Sequence, residues 1–301
     1  MNIFLVLTFS GVALGAIYFL AASGLSLIYG LMDVLNFAHG LFMTLGAYAG
    51  YEFATRLPSS WGAPTRVILA IIGATVVGAL VAGITELILI RPLYGKPISQ
   101  ILITIGLDLA VVGLLMGGFG STALQIPVPL WLIEPTHIGG LFLPNANFLA
   151  IGAGVIVLFG LELFLARTRY GIIIRAGVEN REMVRALGID VGRAFTLVFV
   201  VGGAMAGLAG VLYTIVFSGD LVSPSQGDGL LIFAFIVVVI GGLGSIRGSA
   251  VAALVVALLQ QYTTFYIGGH SGWAQIGDLS TVLLLAVVLE LRPRGLFGRV
   301  A

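Results

Sequence analysis

Nine stretches of the chain are apolar over lengths that suit membrane helices: residues 5–29, 40–55, 67–90, 98–118, 148–166, 194–217, 229–243, 249–267 and 276–291. Windows 40–55 and 229–243 are short and could be half-helices, so the pattern predicts eight to ten crossings, nine being the direct count. The expected fold is all-α, a polytopic helical membrane protein with one transmembrane domain over residues 1–301. Lipid offers no partner for free backbone groups, and helices satisfy their own. The first window has no basic lead before it and reads as a retained span rather than a cleaved signal. Small-residue spacings at Gly11/Gly15, Gly113/Gly117 and Gly203/Gly207 predict places where helix backbones approach closely.

Polar residues interrupt this text at few points, and each interruption carries an expectation. Between Gly30 and Gly40 the apolar run is broken by Asp33, Asn36 and His39. Such a break is tolerated where protein or a wet cavity covers it, and broken helices often line a solute path, so Asn36 and His39 are path candidates. Asp108 lies near the middle of its window, where a charged carboxylate costs about 2.5–3.5 kcal/mol on insertion scales. It must face the bundle, carry a proton or sit beside water, and it is the third path candidate. Glu86 is expected to pair with the basic stop at Arg91 and Lys96. Gly241, Gly242, Gly244 and Gly248, around Ser245 and Arg247, predict a bend between two half-helices. Residues 119–147, with Pro127, Pro129, Pro135 and Pro144, form a long external loop read as an interfacial piece or docking surface.

Composition confirms the class and adds an orientation. With 59% apolar and 9% charged residues the chain lies far from soluble domains, where about a quarter of residues are charged. Alternation of the nine windows puts 12 of the 14 basic residues on one side and leaves Arg56 and Arg66 on the other. Basic loops stay in the cytoplasm, so the N-terminus is expected outside and the C-terminus inside. Six of the basic residues fall in one polar passage, 167–193. Between Gly171 and Gly188 it reads as a short helix with Met183, Val184, Ala186 and Leu187 on one arc and Arg181, Glu182 and Arg185 on the other. That helix is too short to cross a bilayer and should lie on its inner surface, facing something outside the chain.

The scattered His39, His137 and His270 make no metal pattern, and no cofactor is expected. No phosphate loop is present, and Gly95-Lys96 runs into Pro97. If nucleotide energy drives this protein, another polypeptide hydrolyses the nucleotide. The chain itself is not expected to be an enzyme.

Four stretches carry a resemblance: GLSLIYGLMDVLNFAHG at 24–40, RAGVENREMVRALGID at 175–190, SPSQGDGL at 223–230 and GGLGSIRG at 241–248. They resemble the permease subunits of bacterial ABC importers of the branched-chain amino-acid type. The resemblance implies a multi-pass protein of the bacterial plasma (inner) membrane. Its implied partners are a homologous or identical second permease, two cytoplasmic ATPases and an extracytoplasmic solute-binding protein, with no nucleic acid. It also implies that the segment with Arg175, Glu179, Asn180, Arg181, Met183, Arg185, Ala186, Leu187 and Gly188 is the coupling helix that enters the ATPase. Phe233 stands where the family often has lysine, and Ala252, Ala253 and Gln260 replace glycines and an acid. These departures leave the solute open between branched-chain amino acids and urea, short amides or other small carboxylates. Two other classes set their own requirements. An ion-coupled secondary transporter using Asp108 needs paired intramembrane carboxylates, and an intramembrane enzyme needs an acid cluster or a nucleophile with its base.

Overall fold

The computed structural model describes residues 2–32, 36–179, 183, 191–217, 219, 221–269, 273 and 275–298. Each of the nine apolar windows is a helix. α1 (Asn2–Met32), α2 (His39–Arg56), α3 (Ala63–Thr85) and α4 (Pro97–Phe119) form the first half. A short α5 (Leu130–Ile133), α6 (Asn145–Arg167) and α7 (Arg169–Glu179) follow. The second half holds α8 (Val191–Val216), α9 (Gln226–Gly241), α10 (Ile246–Thr263) and α11 (Ile276–Leu291). Among the described residues six of these, α1, α3, α4, α6, α8 and α10, are long and apolar enough to cross a membrane. The 18 residues of α2 and the 16 each of α9 and α11 are shorter.

α1 is the mast. Its 31 residues reach about 46 Å at the helical rise, and from Ala13 to Ile28 its apolar side chains are buried against α8, α9, α10 and α6. Glycine sets how closely the centre packs. A Cβ added at Gly46 of α2 would lie 2.4 Å from the Cα of Gly207, and one at Gly78 of α3 would lie 2.3 Å from the carbonyl oxygen of Gly203. α2, α3 and α8 therefore touch backbone to backbone, with dispersion contact where a side chain would force them apart. Gly11 and Gly15 let the Leu258 and Leu254 side chains of α10 close on α1, with an added Cβ falling 2.8 Å and 3.1 Å from their Cδ2 atoms.

The third predicted contact is corrected. Among the described residues nothing lies within 4 Å of a Cβ placed on Gly113 or Gly117. Only 11% of the apolar window of α4 is buried. Spacing reveals that a helix has a smooth face but does not reveal whether another helix lies against it.

The fold is mostly helical, as expected, with four short strands in its connections among the described residues. Loop 119–147 contains a hairpin, β2 (Pro135–Ile138) with β3 (Leu141–Pro144). It also carries β1 (Leu124–Gln125), which pairs antiparallel with β4 (Leu221–Val222) from the connection between α8 and α9. At the opposite end of the bundle, α3 closes with a π-helical turn, Glu86–Ile90, and a 3-10 turn, Arg91–Leu93. Arg91 bonds Thr196 at the start of α8, Arg247 at the start of α10 pairs with Glu162 near the end of α6, and the tail after α11 laces onto α9 through Leu296 N to Ile240 O at 2.8 Å.

Candidate functional site

The break between α1 and α2 is built around Asn36 and His39. Asn36 Oδ1 accepts from Ala38 N at 3.1 Å, folding the chain back in an Asx turn, and its carbonyl accepts from His39 N. α2 thus starts at His39, and the ring is fully buried against α1, with Nε2 donating to the Ala21 carbonyl at 2.9 Å. Only a donor suits a carbonyl, so this bond assigns the proton to Nε2. His39 therefore seats the start of α2 part-way along α1, inside the bundle. Asp33 lies outside the described residues.

α9 starts beside it. A Cβ on Gly40 would meet the Gly227 carbonyl at 3.0 Å, and Gly227 N donates to Thr44 Oγ1 at 3.0 Å. Gln226 Nε2 bonds the Gly210 carbonyl at 3.0 Å and Thr214 Oγ1 at 2.7 Å on α8. The backbone N–H groups of Gln226 and Asp228 are taken by Ser223 and Ser225. The opening turn of α9 is therefore wedged between α2 and α8 with these donors satisfied. Its window, 229–243, had suggested a half-helix, and the helix does begin within the bundle.

Asp108 is half-buried on α4, and its side chain comes within hydrogen-bonding reach of Asp228, one residue past Gly227. Asp108 Oδ1 and Gln226 Oε1 are buried and unpartnered among the described residues. Two of the three path candidates thus lie around one feature, the start of α9: His39 through Gly40, and Asp108 through Asp228. Sequence reading missed Asp228, because it falls in what looks like an external loop 120 positions from its partner.

Asn36 faces a cavity of about 10 Å³ lined by Ile28, Met32, Asn36, Ile90, Gln100, Thr104 and Phe199. This is room for about one water. Gln100 and Thr104 sit one turn apart on α4, both buried, with Asp108 a further turn along. They too were missed, although two polar residues four apart in an apolar span were a legible signal. Gln100 Nε2 donates to the Leu93 carbonyl at 2.7 Å, tying α4 to the turn before it.

In the polar passage 167–193, Thr168 separates α6 from α7 and caps α7, with Gly171 N donating to Thr168 Oγ1 at 2.9 Å. Gly171 permits the corner: a Cβ there would come 2.5 Å from Leu165 Cα. Ile174 is buried, while Arg175 is exposed. Met183 is 61% exposed. Asn180, Arg181, Arg185, Ala186, Leu187 and Gly188 lie outside the described residues, as does the side chain of Glu179.

The bend at 241–248 has a clear construction. α9 ends at Gly241; Gly242 (φ 99°) and Gly244 (φ 79°) take backbone conformations closed to most side chains. Ser245 then caps α10, accepting from Gly248 N at 3.1 Å. Gly241 and Gly248 press together, a Cβ on Gly248 falling 2.0 Å from the Gly241 carbonyl oxygen.

A family model described as branched-chain amino acid transport system, permease component, matches residues 7–290. The chain is 28% identical to the high-affinity branched-chain amino acid transport system permease protein BraD of Pseudomonas aeruginosa, over 96% of this chain and 94% of BraD. It is 29% identical to the probable branched-chain amino acid transport permease protein LivH of Methanocaldococcus jannaschii, over 93% and 88%. More distantly, it is 24% identical to the probable permease LivM of the same organism, over 83% and 79%. No solved structure matches.

Proposed function

We propose, for a chain that belongs to the family of branched-chain amino acid transport system permease components, that it carries leucine, isoleucine, valine or a similar small polar solute across the plasma membrane in an ATP-driven importer. ATP is hydrolysed by two separate cytoplasmic subunits, an extracytoplasmic binding protein delivers the solute, and a second permease completes the path. LivH and LivM of one organism, both similar to this chain, support a homologous rather than identical partner. The N-terminus faces outside and the C-terminus the cytoplasm, which accords with 12 of 14 basic residues on the inner side.

The path passes Asn36, His39 and Asp108. The observation that carries this reading is the convergence of the α1–α2 break, the start of α9 and Asp108 at one place in the bundle. Its unpartnered buried atoms among the described residues are three acceptors, Asp108 Oδ1, Gln226 Oε1 and His39 Nδ1, and one donor, Asn36 Nδ2. The acceptors suit an ammonium or an amide N–H and the Asn36 amide N–H suits a carboxylate or carbonyl oxygen, a combination that fits an amino acid, urea or a short amide. The segment from Arg175 to Gly188 is the coupling helix, a sided rod received in a groove of the ATPase. ATPase closure moves it, and helices rock to switch the path between outward and inward access.

In the complete complex, charged substitutions Met183→Glu and Leu187→Glu together should abolish ATPase copurification while the permease still inserts. Retained copurification overturns the coupling reading.

One observation favours a second reading. The Asp108–Asp228 pair is the paired carboxylate that ion-coupled transport requires. Under that reading a pH gradient alone drives leucine into vesicles holding this permease without ATPases. Under the leading reading it does not, and Asp108→Asn in the whole complex raises the KM for leucine about tenfold through one lost charge-assisted hydrogen bond.

A further inference from the structure

Glu86 is fully buried in the π-helical turn that closes α3, and its carboxylate is shared between two parts of the fold. Oε1 accepts from the Tyr94 hydroxyl and from Arg91 Nε at 3.4 Å, both on the turn leading to α4. Oε2 accepts from Thr196 Oγ1 at 2.7 Å, on the second turn of α8. The same hydroxyl accepts from Arg91 Nη2 at 2.7 Å, and the Tyr94 ring meets Phe195 edge-on at 4.9 Å. Burial, reinforced by Glu86, pushes the Tyr94 phenol up, so it remains a donor. From Leu93 the frame continues through Gln100 into α4 and the cavity beside Asn36.

α8 is the helix on which the chain resumes after the passage that includes residues 175–188. A displacement of its first turns must either pull the α3–α4 turn along or take the Thr196 hydroxyl from a buried carboxylate, which is costly to leave under-partnered. A π-turn is also a place where a helix can change its winding locally. We propose that Glu86, Arg91, Tyr94 and Thr196 form the joint that carries movement of the coupling segment into α3 and α4, on the cavity side of the path. This rests on the coupling reading of 175–188. Thr196 is its positioning residue, since its hydroxyl joins α8 to both Glu86 and Arg91.

The chain has no cysteine, so one reporter can be placed cleanly. Gly229 on α9 has nothing within 4 Å of an added Cβ among the described residues. The complex would carry Gly229→Cys with cysteine-free partners, in vesicles, and be labelled by a membrane-impermeant maleimide with and without ATP and vanadate. ATP should change the labelling rate in the parent. Thr196→Val, which keeps the shape and removes the hydroxyl, should shrink that change about tenfold, at the upper range of coupling effects, while ATP hydrolysis and ATPase copurification persist. Thr196→Ser should restore it. Tyr94→Phe, which keeps the ring on Phe195, should show a smaller loss in the same direction. An undiminished labelling change in Thr196→Val, or a loss that Thr196→Ser does not repair, overturns the joint. A parent reporter blind to ATP overturns the coupling reading beneath it, and retention of ATPases by the Met183/Leu187 variant does so independently.

Discussion

The same residue type does opposite work at Gly46 and Gly113. At Gly46 an added methyl would enter the backbone of Gly207. Gly46→Ala should therefore destabilise by about 1–3 kcal/mol, the usual cost of overpacking. At Gly113 the space is open, and Gly113→Ala should be neutral or gain up to about 1 kcal/mol from helix propensity. Reversible unfolding in mixed micelles checks both, and equal effects would mean that α4 is packed in a way the structure lacks. This contrast also marks a limit of sequence reading. Gly203/Gly207 and Gly113/Gly117 share one spacing, and only three-dimensional neighbours separate them. Glu86 with Arg91 was legible because the two lie close in the chain, whereas Asp228 and Thr196 were hidden by separations of more than 100 positions.

Among the elements, those with long periodic windows were the most legible. α11 coincides with its window at 276–291, and the bend at 241–248 was readable because glycine crowding has few other uses in an apolar run. The tie at its centre is Ser245. Ser245→Ala should cost about 1 kcal/mol as a lost N-cap, measured by the same unfolding assay, while Ser245→Asn should be tolerated. The strands were illegible for a physical reason: two to four residues hold too little alternation to register as a period. The proposed path was half legible. Asn36 and His39 announced themselves as polar interruptions, but the place where α9 begins depends on Gly227 finding Thr44, a contact between distant segments.

Across the whole molecule, a tightly packed centre of α1, α2, α3, α8 and α9 is flanked by lightly held helices, α4 and α6, with 11% and 17% of their apolar windows buried. Composition and basic-residue asymmetry were enough to place the chain in a membrane and to suggest its orientation. They could not separate centre from flank, because both are written in the same apolar alphabet. The β1–β4 pairing bears on how such a molecule yields. Two residue pairs, Leu124 with Val222 and Gln125 with Leu221, fasten the exit of α4 to the approach of α9 on the side opposite Glu86. α4 is thus tethered at both extremities and lightly held between them, touching α9 at Asp108, so it has the mechanics of a bowstring: it can flex at its middle more readily than it can swing away as a door.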